Sequence, residues 1–307
     1  MPEIKVERPS WRKLLKREKL LQLPAAHDGL TAKLIQRAGF AAYQVGGFAL
    51  DGARFAQPDI DLTRFGEKSN AVREIIAASD LPVLVDADDG YGDVKNVTHT
   101  VKTYEDMGVS AVFIEDQKPP KRCGHMAGKE VSPPDQMAQK IRAAVAARRS
   151  KDTMFLIART DAVEPNGLDD ALRRGELYLK AGADALYVEA EHDEDQLARV
   201  AREFHGEWLV ANMLEGGGKT PWVPPDRLRQ MGYSMVLYPT TVLFQLTHAI
   251  EHALENLHAG RRMNSQLAVT MKHFEMVVDL PKWAVVEGRF RTGPIAKVRS
   301  WLDKLAA

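Results

Sequence analysis

The sequence predicts an α/β fold of the (β/α)8 TIM-barrel type with a helical extension at its C-terminal end. Three observations carry this. Eight short apolar runs alternate with helical patterns. Four of those helices close on a glycine, with the next run two or three residues on. Polar residues collect at the C-terminal ends of the runs. Strict alternation implies a parallel sheet, and eight strands is the number that closes the barrel. A doubly wound open sheet is the alternative, but no glycine-rich fingerprint follows the first run.

Taken in order, residues 1–20 are basic and mixed, with Trp11, Leu14 and Leu15 at helical spacing. That face is too small for a membrane-surface helix and predicts one packed on the bottom or side of the main domain. The apolar runs lie at 21–25, 41–45, 82–86, 111–115, 154–159, 185–189, 208–212 and 235–239. Helical patterns occupy 31–38, 71–79, 96–107, 134–149, 168–181, 194–204, 225–231 and 241–257. The pairs Ala38-Gly39, Met107-Gly108, Ala181-Gly182 and Met231-Gly232 end four of them; glycine there can take the left-handed conformation that stops a helix. After Gly260 the pattern ceases, giving a barrel over 1–260 and an extension over 261–307. In the extension 264–278 reads as a helix, Leu280-Pro281 breaks it, and 294–305 reads as another. Trp283 and Trp301 give it apolar surface to hide, on its own barrel or on a neighbouring subunit.

Composition narrows the function classes. Lysine plus arginine equal aspartate plus glutamate at 42 each, so no global field recruits nucleic acid or an acidic membrane. A single cysteine excludes an internal disulfide framework and suits a reducing cytosol. No stretch approaches the roughly 20 apolar residues of a membrane span, and the N-terminus lacks the apolar run of a signal peptide. The expectation is a soluble, cytoplasmic protein.

Asp86 and Asp88 follow the third run, Glu115 the fourth, Arg159 the fifth, Glu189 the sixth and Asn212 the seventh; Tyr43 and Gly46-Gly47 close the second. Barrel active sites sit at that rim. Hard oxygen ligands without histidine or thiolate select Mg2+ or Mn2+ over zinc, and Glu115 could hold a metal-bound water. Gly90 and Gly92 let the loop pass close to a ligand. The competing account of the aspartates is capping of the next helix. The loop after the fourth run carries Lys121, Arg122, Cys123 and His125. Nearby cations favour a thiolate, so Cys123 reads as an acid or base reachable near neutrality rather than an inert buried thiol. One cysteine argues against zinc, and no base–orienter pair suggests covalent catalysis. His252 and His258 read as surface residues.

VDADDGYG, EDQ…KRCGHMAGK, ARTDA and ANMLEGGGKTP resemble the isocitrate lyase/phosphoenolpyruvate mutase superfamily over about residues 21–257. The KRCGH run is similar to its carbon–carbon lyase branch, which includes methylisocitrate lyases and 2,3-dimethylmalate or alkylmalate lyases. The resemblance implies an α/β barrel whose C-terminal helices swap between subunits of a homo-oligomer, a dimer or tetramer. It implies Mg2+ (or Mn2+) on Asp86 and Asp88, with Glu115 in its outer sphere, holding the 2-hydroxyl and adjoining carboxylate of a di- or tricarboxylate substrate. It implies that the backbone at Val45, Gly46 and Gly47 receives that carboxylate, with Gly124 and Glu215 also on the substrate. Arg159 and Glu189 engage its oxygens, and Tyr43 or a metal-linked group helps remove the hydroxyl proton. The C2–C3 bond breaks by a retro-aldol step; Lys121, His125 and Asn212 stabilise the enediolate and Cys123 protonates its carbon.

Departures bear on substrate. Asp89 stands where many members have threonine, and Val45 where they have serine. Met126 and Gln245 stand where methylisocitrate lyases carry arginines for a third carboxylate, which favours a smaller 2-alkylmalate-like dicarboxylate. The competing functions are methylisocitrate cleavage, oxaloacetate hydrolysis or decarboxylation, phosphonate processing, and a non-catalytic metabolite-binding barrel.

Overall fold

A computed structural model describes residues 8–290. All eight expected strands form: β1 (Leu21–Pro24), β2 (Tyr43–Val45), β3 (Val83–Asp86), β4 (Ala111–Glu115), β5 (Phe155–Thr160), β6 (Ala185–Val188), β7 (Trp208–Asn212) and β8 (Met235–Tyr238). Each pairing is parallel, in the order β1-β8-β7-β6-β5-β4-β3-β2. A parallel bridge between Ala25 and Gln44 brings the two ends together, so the sheet is a nearly closed barrel. Gly39, Gly108, Gly182 and Gly232 have φ of 85°, 89°, 107° and 115°, the left-handed geometry that stops each helix.

The helices are α1 (Trp11–Arg17), α2 (Gly29–Arg37), α3 (Gly47–Phe55), α4 (Phe65–Ala77), α5 (Val94–Met107), α6 (Pro134–Ala147), α7 (Val163–Asn166), α8 (Leu168–Lys180), α9 (Glu194–Glu203), α10 (Pro225–Met231), α11 (Thr241–His258), α12 (Met271–Val277) and α13 (Leu280–Phe290). The short α3 and α7, lying directly behind strand ends, are not signalled by periodicity.

Strand parity divides the core. Leu21, Leu23, Leu84, Ala111, Phe113, Phe155, Ile157, Ala185, Tyr187, Val210, Met235 and Leu237 form one buried cluster, the barrel interior. Their neighbours in sequence, such as Val83, Val85, Val112 and Ile114, pack outward against the helices. Trp11, Leu14 and Leu15 of α1 join the interior cluster. The Trp11 indole N–H donates to Met235 Sδ at 3.4 Å, and Arg12 lies 5.5 Å and 5.1 Å from the Phe155 and Trp208 ring centroids. Those three residues open their strands, so α1 plugs the bottom of the barrel. Burying its two leucines stabilises the fold by roughly 1.5–3 kcal/mol each.

The chain divides into two compact units between Gln245 and Leu246, within α11. In the second unit helix forms only over Met271–Val277 of the expected 264–278, because Thr270 caps it, accepting from the His273 N–H at 3.2 Å. The expected break before Leu280-Pro281 is present, since α12 stops at Val277 and α13 starts at Leu280; Pro281 sits in the first turn of α13, where its missing N–H costs nothing. The helix expected over 294–305, with Trp301, lies outside the described residues. Leu246, Ile250, Leu254 and Leu257 make an exposed apolar stripe along α11, and Trp283 is 63 % exposed. Among the described residues no helix is long and apolar enough to cross a membrane.

Candidate active site

The parity that fills the barrel continues past its apolar layer. On β3, β4, β5 and β7 the next inward positions are Asp86, Glu115, Arg159 and Asn212, and just past β6 it is Glu189. A small pocket, open to solvent, lies at this end. Asp86, Arg159, Glu189 and Asn212 line it with Gln44, Gly46, Gly47, Asp59, Cys123, Gly124 and His125; Phe48, Leu214, Leu237 and Pro239 give it an apolar side.

Asp86 accepts from the Gly47 and Asp88 backbone N–H groups, at 2.9 Å each. Asp88 sits between two buried ammonium groups, Lys68 at 2.7 Å and Lys121 at 2.5 Å. Lys121 also reaches Asp59 at 2.5 Å, and Lys68 reaches Asp51 at 3.6 Å. Seven carboxylates (Asp51, Asp59, Asp86, Asp88, Glu115, Asp161, Glu189) therefore crowd four cations (Lys68, Lys121, Lys129, Arg159). Burial, then the neighbouring Asp88 charge, pushes Asp86 up; burial holds Glu115 well above the usual carboxylate range. Against burial, Lys121 and Lys68 keep Asp88 below it. Glu115 Oε1 is buried with no hydrogen-bond partner. A surplus of buried negative charge and an unpaired oxygen fit a hard divalent cation. Among the described residues no three His, Cys, Asp or Glu side chains are grouped to ligate one ion. Helix capping is not the task of these aspartates: Asp93 caps α5, accepting from Lys95 N–H at 2.9 Å, and Asp89 binds Lys140 at 3.0 Å.

Cys123 is 8 % exposed, its N–H donating to the Asp59 carbonyl at 3.0 Å. Burial, reinforced by the Asp59 charge, pushes the thiol up to about 12. The thiolate expected from neighbouring cations is corrected here: Arg122 is exposed, and desolvation outweighs the rest. Gly124 follows because nothing larger fits; a Cβ there would lie 2.3 Å from Arg159 Nη2 and 2.6 Å from Glu189 Cγ. The His125 Nδ1 accepts from the Lys219 backbone N–H at 2.8 Å, which leaves the proton on Nε2, 2.9 Å from Glu189 Oε1. Asn212 Nδ2 lies 3.3 Å from both Glu189 oxygens. Arg159 is gripped by Asp161 at 2.8 Å and 2.9 Å and also faces Glu115 and Glu189, each at 3.3 Å. Burial alone would raise Glu189; Arg159 and His125 hold it well below its ordinary range.

Tyr43 has outward parity and lies in the layer between barrel and helices, so its side chain does not face the pocket, contrary to expectation; the Val45 side chain is outward too, which leaves the expected role of its backbone untouched, and the inward residue of β2 is Gln44. The Tyr43 hydroxyl is buried without a partner. Glu215 is exposed, accepts from the Thr241 hydroxyl and does not line the pocket. Lys121 stands behind the wall, on Asp59 and Asp88. Sequence reasoning missed Gln44, which parity would have found. It also missed Asp59, in a loop, and Lys68, near the start of α4, because both stand away from the strand ends.

The family model described as phosphoenolpyruvate phosphomutase matches residues 11–258. The chain belongs to that family. The 2,3-dimethylmalate lyase of Eubacterium barkeri is 38% identical over 285 residues, 92% of this chain and 97% of that protein. A structure of oxaloacetate acetylhydrolase with the inhibitor 3,3-difluorooxalacetate superposes with a TM-score of 0.86 at 28% identity, covering 92% of this chain and 98% of that one. Phosphonopyruvate hydrolase in complex with oxalate and Mg2+ superposes at 0.79 with 26% identity, covering 91% and 97%. Membership fits the pocket: small oxygen-rich ligands beside a hard cation are what its donor set can take.

Proposed function

We propose that this chain is a Mg2+-dependent lyase cleaving the C2–C3 bond of a 2-hydroxy dicarboxylate of the 2-alkylmalate type, such as 2,3-dimethylmalate. The products are a 2-oxo acid such as pyruvate and a departing carboxylate. One observation carries the reading: Cys123, protonated at neutral pH, lines the same pocket as Asp86, Arg159 and Glu189. Carbon–carbon cleavage needs a proton delivered to carbon, whereas migration of a phosphoryl group between carbon and oxygen needs none there. The similarity to 2,3-dimethylmalate lyase over nearly its whole length supports it, and the chain is a carbon–carbon lyase.

Asp86 and Asp88 would hold the ion, with Glu115 on one of its waters. When bound, it supplies Lewis-acid stabilisation of the substrate's 2-oxygen and adjoining carboxylate. Arg159, locked by Asp161, orients substrate oxygens. The 2-hydroxyl proton leaves to a pocket carboxylate, and its bonding pair becomes the C2=O π bond. The C2–C3 pair moves into the departing carboxylate as an enediolate, which the N–H donors His125 and Asn212 stabilise. Cys123 gives its proton to C3. Lys121 acts through Asp59 and Asp88.

Substrate size follows from the walls. Arg159 is the cationic side chain lining the pocket, with His125 as an N–H donor; Met126 and Gln245 do not line it. The apolar side suits an alkyl substituent. In a Mg2+ assay of 2-oxo acid release across dimethylmalate, citramalate, methylisocitrate, isocitrate and oxaloacetate, an alkylmalate is expected to lead in kcat/KM. Its lead over methylisocitrate is expected to be about 30-fold or more, the worth of one charged-group contact. A preference for methylisocitrate or oxaloacetate overturns the substrate assignment, and absence of any turnover overturns the lyase.

The α11 stripe and exposed Met263, Leu267, Trp283 and Phe290 support assembly into a dimer or tetramer. Sedimentation is expected to report one of these; a clean monomer at micromolar concentration removes this part of the proposal.

A further inference from the structure

Lys129 has no part in the chemistry above, yet its side chain is wholly buried. A buried ammonium is costly unless paired and hydrogen-bonded. Its partners are the Gly124 carbonyl, Asp161 Oδ1 at 3.2 Å and Glu164 Oε2 at 3.9 Å. Each lies on a segment that carries the site. Gly124 stands between Cys123 and His125 in the cysteine loop. Asp161 grips Arg159, and its own N–H is fixed by Asp116 Oδ1 at 2.9 Å. Glu164, in α7, pairs through its other oxygen with Lys219 Nζ at 3.0 Å. The Lys219 backbone N–H is the donor that sets the His125 ring. One ammonium thus ties the loop bearing the proton donor to the anchor of Arg159, and through Glu164 to the segment that orients His125.

We propose that Lys129 is a positioning residue for the lyase reaction: it fixes where Cys123 and His125 stand against Arg159 and Glu189. This rests on the lyase reading. The geometry explains why a cation is needed. The ammonium must answer a carbonyl and two carboxylates at once, which a neutral side chain of the same length cannot.

Lys129→Met is the test, and the chain's single cysteine makes it direct, since alkylation by iodoacetamide reports Cys123 alone. In the ligand-free variant alkylation is expected to quicken about tenfold, for the loss of one charge-assisted hydrogen bond holding the loop. A displacement of about 1 Å at reacting groups costs roughly 100-fold, so kcat is expected to fall by that factor while KM stays within about tenfold. Mn2+ binding is expected to be unchanged, because Lys129 touches neither Asp86 nor Asp88. A folded variant with wild-type kcat and alkylation rate overturns the proposal, even with a lowered Tm. Should Lys129→Met not fold, Glu164→Gln weakens the same tie from a partly exposed carboxylate. It is expected to raise the alkylation rate about threefold, for the loss of one charge 3.9 Å from the ammonium; an unchanged rate there also overturns the proposal. Alkylation needs no substrate, so a wild type that cleaves none of the tested acids sinks the lyase reading and leaves this measurement to decide what Lys129 holds.

Discussion

Replacing Cys123 by serine is expected to lower kcat by roughly 10²–10⁴, the range for one acid–base group. The side chain keeps its size, but a hydroxyl is a far weaker acid than a thiol. Burial worsens this, since the pocket that pushes the thiol up to about 12 also disfavours an alkoxide. Substrate and metal contacts are elsewhere on the wall, so KM is expected to stay within about tenfold; loss of uniform binding would raise it instead. Thiol alkylation is expected to inactivate, with protection by substrate and Mg2+. A Cys123→Ser enzyme with wild-type kcat on its best substrate would overturn the assignment of the acid, and with it the case against phosphoryl transfer.

The second large effect concerns the carboxylates. Asp86→Asn keeps the shape of the side chain and one of its two backbone hydrogen bonds, since Gly47 N–H donates to Oδ2 and Asp88 N–H to Oδ1, and it removes one charge. Activity is expected to fall by about 10³, since Lewis-acid stabilisation is worth several kcal/mol, and Mg2+ affinity by calorimetry is expected to fall with it. Excess chelator is expected to abolish wild-type turnover; full turnover in chelator sinks the metal assignment. Asp88→Ala is a poorer probe. It leaves Lys68 and Lys121 facing each other in a buried site, with an expected loss of about 3–5 kcal/mol in stability. A thermal melt separates the two variants: Asp86→Asn is expected to lose only the worth of one hydrogen bond, about 1–3 kcal/mol, and Asp88→Ala more.

The barrel was legible in the sequence because its signals are local. An apolar run, a helical period and a helix-stopping glycine each need only a few neighbouring residues, and all eight strands follow from them. Much of the rim was legible for the same reason. Counting by twos from Phe113, Ile157, Tyr187 and Val210 reaches Glu115, Arg159, Glu189 and Asn212. Applied to β2, the same count would have exchanged Tyr43 for Gln44; there the resemblance was followed instead of the pleat. Tertiary structure alone decided the electrostatics. Asp59 enters the site from a loop and Lys68 from the first turn of α4, away from the strand ends, and their charges count only through the distances to Lys121 and Asp88. The state of Cys123 was misjudged for a related reason. KRCGH places cations beside the thiol in sequence, but Arg122 turns to solvent while the sulfur is buried, and desolvation is a property of the whole fold. Residue types and their order determined which groups this protein could bring to one rim; only packing decided which of them are dry, and therefore which hold their protons.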